Sequence, residues 1–222
     1  MTSFGAILPA GDAPAASAPA TYPLGSRLAH WAAAMLMLLA FALVWLREDL
    51  PKGDLRAAML VWHQWAGLLV LASLAPRLLA RWWARAPTLA DMPRWQRFLA
   101  RATETGLYIM MIAQPLLGWL MLSLKSREAT LFGVVLPSLA NPDQALAGQV
   151  KDWHEAGGTV ILVLVGLHVL GALYHHFWRR DGVLAAMLGS RAPAGAAIMA
   201  GAGACSRHLA AGPDRPPPAG GR

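Results

Sequence analysis

KDWHEAGGTVILVLVGLHVLGALYHHFW, residues 151–178, is an almost unbroken apolar run, yet it carries histidines at 154, 168, 175 and 176. About 20 predominantly apolar residues suffice for a helix to cross a bilayer. An ionisable side chain inside such a span is costly, and by default it marks a functional position. The stretch therefore reads as a membrane helix whose imidazoles have a task.

Three further apolar runs accompany it. The four spans are Leu28–Leu46, Ala57–Pro76, Thr105–Leu124 and Trp153–Phe177. The chain of 222 residues is 56% hydrophobic and only 14% charged, too little charge to cover a soluble domain of this length. Its ten tryptophans suit the headgroup level of a bilayer. Pro115, Gly118, Gly166 and Gly171 lie inside spans, where neighbouring helices can re-satisfy freed backbone groups. In NPDQ, Asn141 reads as an N-cap with Pro142 at the first helical position, so the fourth helix is expected to begin outside the bilayer. The expected fold is an all-α, integral membrane four-helix bundle over residues 26–188. Residues 1–25 and 189–222, rich in Ala, Pro and Gly, read as disordered tails. ASAPA in the first tail has no basic or apolar segment before it, so cleavage there is not expected. Cys205, the single cysteine, can form no internal disulfide, and nothing near it suggests a metal site.

Charge sets the topology. Of 19 lysines and arginines, 13 fall on the side of the termini, including the run from Arg77 to Arg101 between spans two and three. The other side has Arg47, Lys52, Arg56, Lys125, Arg127 and Lys151. The positive-inside rule then places both termini in the cytoplasm. The net charge of +7 is thereby spent on topology, and no nucleic-acid partner is expected.

His154 and His168 fall about 40° from alignment and ~21 Å apart along one helix, which suits two sites stacked across a bilayer. Distance from the first charge at the outer boundary gives each a partner. His168 lies seventeen residues inward of Lys151, and His30 seventeen inward of Arg47. His63 is seven residues from Arg56 and His154 three from Lys151, so both belong to the outer half. Two histidine pairs on facing helices fit two six-coordinate haems. Zinc fits less well, since it takes about four ligands per site. Ala34, Gly67, Gly157, Gly158 and Gly171 lie next to the histidines, and small residues let backbone approach a flat ligand. The plainer alternative is a set of polar helix–helix contacts.

His175 and His176 lie at the cytoplasmic end beside Trp178, Arg179 and Arg180, where an imidazole can sit wet at the interface. The functional alternative is a quinone headgroup site at His175, nearly on the face of His168, delivering a proton or hydrogen bond. Lys151 could attract a small anion toward the outer pair, or serve as an ordinary helix-end cation. Outer acids (Glu48, Asp49, Asp54, Glu128, Asp143, Asp152, Glu155) offset the outer cations, so no net basic funnel is expected.

RLAHW (27–31), WHQWAG (62–67), AQPLLGWLM (113–121), LFGVVLP (131–137) and the long 151–178 segment together resemble the four-helix bacterial cytochrome b-561 family. The resemblance covers roughly residues 25–188. Members of that family act as superoxide:ubiquinone oxidoreductases in the cytoplasmic (inner) membrane. It implies two b haems, ligated by His30 and His168 within and by His63 and His154 without. It further implies a quinone-side histidine at His175, and electron flow from periplasmic superoxide to ubiquinone. One departure is RATETG (101–106), where a family member is histidine-rich. Two rivals stand beside this reading. One is an anchor subunit wiring a hydrogenase- or formate-dehydrogenase-like partner to quinone. The other is a transporter or proton channel with a histidine relay, against which stands the lack of an inverted internal repeat.

Overall fold

The computed structural model describes residues 21–83 and 92–190. Four long helices make up almost all of it: α1 Leu24–Glu48, α2 Asp54–Trp83, α3 Arg94–Leu124 and α4 Gln144–Tyr174. All four are long and apolar enough to cross a membrane. A two-stranded antiparallel hairpin, β1 Thr130–Leu131 and β2 Val134–Val135, lies between α3 and α4. After α4 comes a π-helical turn, His175–Arg179, and then the short helix α5 Val183–Leu188. The bulk of both expected tails, with Cys205, lies outside the described residues.

Each helix extends beyond its apolar stretch at one end or both, although α4 gives way to the π-turn three residues before the expected Phe177. Hydropathy marks only the lipid-immersed part, whereas the helix continues as long as its backbone hydrogen bonds do. Thus α2 passes through Pro76 to Trp83, and α3 starts eleven residues before the expected Thr105. The start of α4 differs from expectation. Asp143, not Asn141, is the N-cap, its Oδ1 accepting from Leu146 N at 3.0 Å. Either residue can cap, and the loop's own path puts Asp143 at the position whose side chain reaches an orphan amide.

The helices run up, down, up, down. α1 packs on α2 and α3 on α4, with α2 against α3 closing the bundle. One end, here the terminal end, carries the start of α1 and the end of α4. Arg27 there donates to the Met187 and Leu188 carbonyls, tying α5 to α1. The opposite, hairpin end carries the α1–α2 and α3–α4 connections. Trp119 Nε1 donates to Pro137 O, and Ser123 Oγ accepts from Leu139 N, holding the α3–α4 loop down on α3. Trp65 of α2 packs at a tilt against Phe132 at the hairpin tip, with centroids 5.0 Å apart.

Burial is inverted relative to a soluble protein. The buried core is small, with Ala33, Val70, Leu74 and Met111 at one level and Leu124, Ala147 and Val150 at another. Large apolar side chains such as Leu38, Ile109, Val163 and Leu170 point outward instead. An outward apolar surface on every helix is what lipid tails cover.

Candidate functional site

Helix α4 approaches neither α1 nor α2 closely, backbone to backbone. The histidines occupy the width left between them. Toward the terminal end, His30 of α1 faces His168 of α4, with ring centroids 6.0 Å apart and planes at 44°. Toward the hairpin end, His63 of α2 faces His154 of α4 at 6.2 Å and 83°.

Those separations show how the imidazoles meet. Two imidazoles hydrogen-bonded to each other, with N···N near 2.9 Å, hold their centroids about 5.2 Å apart. Two imidazoles on opposite sides of one metal, with bonds of about 2 Å each, hold them about 6.3 Å apart. Both pairs lie near the second value.

Local contacts set the ring nitrogens of the hairpin-end pair. His63 Nδ1 donates to Ala40 O at 2.8 Å, which leaves Nε2 with its lone pair. His154 Nδ1 is buried against the α3 backbone near Gln114 and makes no hydrogen bond of ordinary geometry. Beside these rings is a cavity of about 480 Å³, lined among others by Phe41, Gly67, Gly118 and Gly158. Gly67 has open space where a Cβ would stand. Haem b is flat and largely apolar with polar edges, and this donor set and apolar lining fit it.

Not every glycine near a histidine serves the cavity. Gly157 instead abuts the Gln114 amide, and a Cβ there would collide with it. Gly118 touches His154 directly: a Cβ would stand 3.3 Å from Cε1. Read as a sequence, Gly118 was one more glycine of a membrane helix. Only the crossing of α3 and α4 gives it a partner.

At the terminal end, His175 opens the π-turn. Its Nδ1 pairs with the Asp181 carboxylate, and the two side chains are only 12% and 4% exposed. Asp181 Oδ1 also accepts from Val183 N at 3.3 Å. Arg179 donates to Gln96 at 3.3 Å, joining the turn to α3. The π-turn, a feature frequent at functional sites, brings Asp181 back onto His175. Spacing gave no sign of Asp181, because an α-helix continued through 175–179 would carry it elsewhere. His176 lies outside this cluster, exposed, with its ring edge-on to Phe177. Arg81 pairs with Glu104, so the RATETG departure supplies an α2–α3 ion pair. Arg77 lies over the Tyr108 ring, 5.4 Å from its centroid. Burial, then Glu104, push the nearby Tyr22 phenol above its ordinary value, with Arg81 opposing.

At the hairpin end, Lys151 is half exposed and bound to Glu155 at 2.6 Å. Its charge is locally compensated. The cavity wall, however, gathers Arg47, Lys125, Arg127 and Lys151 against only Glu48 and Glu155. The balance along the cavity wall thus differs from the balance counted by segment. Asp49, Asp54, Glu128, Asp143 and Asp152 belong to the same outer segments but do not line the cavity, so a count along the sequence averages charges that the fold separates.

Comparison with known proteins gives a consistent result. The family model described as prokaryotic cytochrome b561 matches residues 21–190. The chain is 26% identical over 164 residues to cytochrome b561 homolog 1 of Escherichia coli (strain K12), covering 73% of this chain and 93% of that protein. It is 26% identical over 162 residues to the probable superoxide oxidase CybB of Yersinia pestis, covering 72% and 90%. It is also 28% identical over 181 residues to cytochrome b561 homolog 2 of the same E. coli strain, covering 77% and 93%.

Proposed function

The chain belongs to the prokaryotic cytochrome b561 family, haem b proteins that transfer electrons in the bacterial inner membrane, and from that premise we propose that it oxidises superoxide and reduces ubiquinone. Two superoxide anions become two molecules of oxygen. The two electrons released, with two protons, convert one ubiquinone to ubiquinol. His30 with His168 and His63 with His154 would hold two haems b, which would supply the one-electron transfer.

The observation that carries the ligand assignment is the pair of centroid separations, 6.0 and 6.2 Å, which suit a metal between the rings and not a direct hydrogen bond. The protein's own part is then specific. The Ala40 carbonyl fixes the tautomer of His63 and turns Nε2 inward. The rim cations, in excess over Glu48 and Glu155, draw a small anion to the hairpin end, which faces the periplasm in this reading. Lys125 and Arg127 contribute more to this than Lys151, whose ammonium is taken up by Glu155. At the cytoplasmic end, Asp181 holds the Nδ1 proton of His175 and leaves Nε2 to meet a quinone carbonyl. The likeness to a probable superoxide oxidase supports the choice of donor.

A second reading keeps the haems and makes the chain an anchor subunit of a hydrogenase- or formate-dehydrogenase-like assembly. The exposed apolar hairpin tip (Phe132, Val134, Val135) is the observation in its favour, as a surface for a soluble partner. One preparation tests both. Purified full-length protein is assayed for haem per chain, for superoxide-dependent ubiquinone reduction, and for a copurifying iron–sulfur subunit. Two b haems, with His63→Ala and His154→Ala each removing the same one, and superoxide-driven quinol formation are expected. A haem-loaded protein inert to superoxide that copurifies with an iron–sulfur subunit would replace the first reading by the second.

A further inference from the structure

Arg47 stands in the last turn of α1 and lines the outer cavity together with His63 and His154. Its Nε is buried without a hydrogen-bond partner, and Arg47 forms no ion pair among the described residues. Other arginines of the bundle are differently placed. Arg56 donates to Leu50 O at 2.6 Å and to Glu48 O, Arg27 is bound to two carbonyls, and Arg81 pairs with Glu104. A guanidinium nitrogen shut away from water without a partner costs free energy, so its partner belongs to the functional molecule. Glu48 is the adjacent carboxylate on the same wall, yet it does not pair with Arg47.

Position along α1 identifies the partner's place. Arg47 lies seven residues beyond Ala40, about 10 Å along the axis. Ala40 is the residue whose carbonyl holds His63. Long side chains on a helix lean toward its N-terminus, so the guanidinium is carried back toward the level of that ring. An anionic group reached from there sits at the edge of whatever His63 and His154 ligate. Haem b carries two propionate carboxylates at one edge, and guanidinium binds carboxylate through paired N–H donors.

We propose that Arg47 is the carboxylate anchor of the outer site, holding a propionate of the haem that His63 and His154 ligate. This rests on the haem reading of those two histidines and is independent of the substrate. It also divides the cations of the hairpin end. Arg47, half-buried in the wall, serves the cofactor, whereas the exposed Arg127 and Lys151 stand at the rim.

The test uses full-length Arg47→Leu and Arg47→Lys, each also in a His168→Ala background that isolates the outer pair. Haem release to apomyoglobin and the midpoint potentials are read. In Arg47→Leu one haem is expected to leave about tenfold faster, the effect of one charge-assisted hydrogen bond. Its midpoint potential falls, since the unpaired propionate disfavours the more negative, reduced state. The other haem is unchanged. Arg47→Lys keeps the charge, so it retains most of the potential while still releasing haem faster. Native release and native potential in Arg47→Leu overturn the proposal. Should Arg47→Leu assemble no haem, Arg47→Lys decides: faster release of one haem supports the anchor, and native release refutes it. If His63→Ala removes no haem, it is the ligand reading that fails, which keeps the two failures separate.

Discussion

Replacing Gly118 by leucine places new atoms where an imidazole of the outer pair now stands. A Cβ at this position would lie 3.3 Å from Cε1 of His154 and 3.7 Å from Nδ1. Ordinary carbon contacts fall at about 3.5–4.0 Å. Alanine therefore asks the ring to retreat by a few tenths of an ångström. Leucine adds three more carbons reaching about 2.6 Å beyond the Cβ, far enough to compete with the ring for its space. Overpacking of this kind costs about 1–3 kcal/mol. If that cost lands on the ring, ligation of the outer haem weakens by about 5- to 150-fold. The assay is haem per chain from the reduced-minus-oxidised spectrum, followed by release to apomyoglobin. Gly118→Ala is expected to keep its haem content with faster release of one haem. Gly118→Leu is expected to lose that haem and keep the other. Gly148→Leu is the control, being an exposed α4 glycine with nothing within 4 Å of its would-be Cβ, and it should match the parent. Gly118→Leu with full haem content and native release would show that His154 is not held where iron ligation needs it.

Three other outcomes follow from the same geometry. Lys125→Gln with Arg127→Gln removes two rim charges; at about 8 Å in water each is worth about 0.5 kcal/mol to an approaching anion, so the superoxide rate should fall about fivefold at low salt and converge with the parent at high salt. An equal loss at all salt concentrations would refute steering. Asp181→Asn keeps the shape of the acceptor but removes the charge that holds His175 in one tautomer, so ubiquinone reduction should slow by about tenfold or more with a changed pH profile while the haem spectrum stays native; an unaltered rate and profile would detach the dyad from quinone chemistry. Arg56→Ala leaves the Leu50 and Glu48 carbonyls at the end of α1 without their donor and should lower stability by about 1 kcal/mol, read as a reduced thermal midpoint in detergent.

Much of this protein is written in one dimension. Four spans and an all-α membrane fold follow from the length and composition of the apolar runs, because lipid offers the backbone no partner but itself. The facing of His30 with His168 and of His63 with His154 is likewise legible, since rise per residue along a straight helix converts counting into depth. What the sequence could not supply is everything that depends on how one helix crosses another or how a chain turns back on itself. Gly118 meets His154 only across the α3–α4 contact, and Gly157, which reads as a cavity residue, is taken by Gln114. Asp181 reaches His175 only because a π-turn replaces regular helix. The cations and acids of the hairpin end nearly cancel when counted by segment. They separate once the loops fold, because an electrostatic effect depends on distance from the cavity and not on order in the chain. Periodicity and length are properties of single elements, fixed by local backbone geometry, whereas contact, net local charge and the burial of Arg47 Nε without a partner among the described residues exist only between elements.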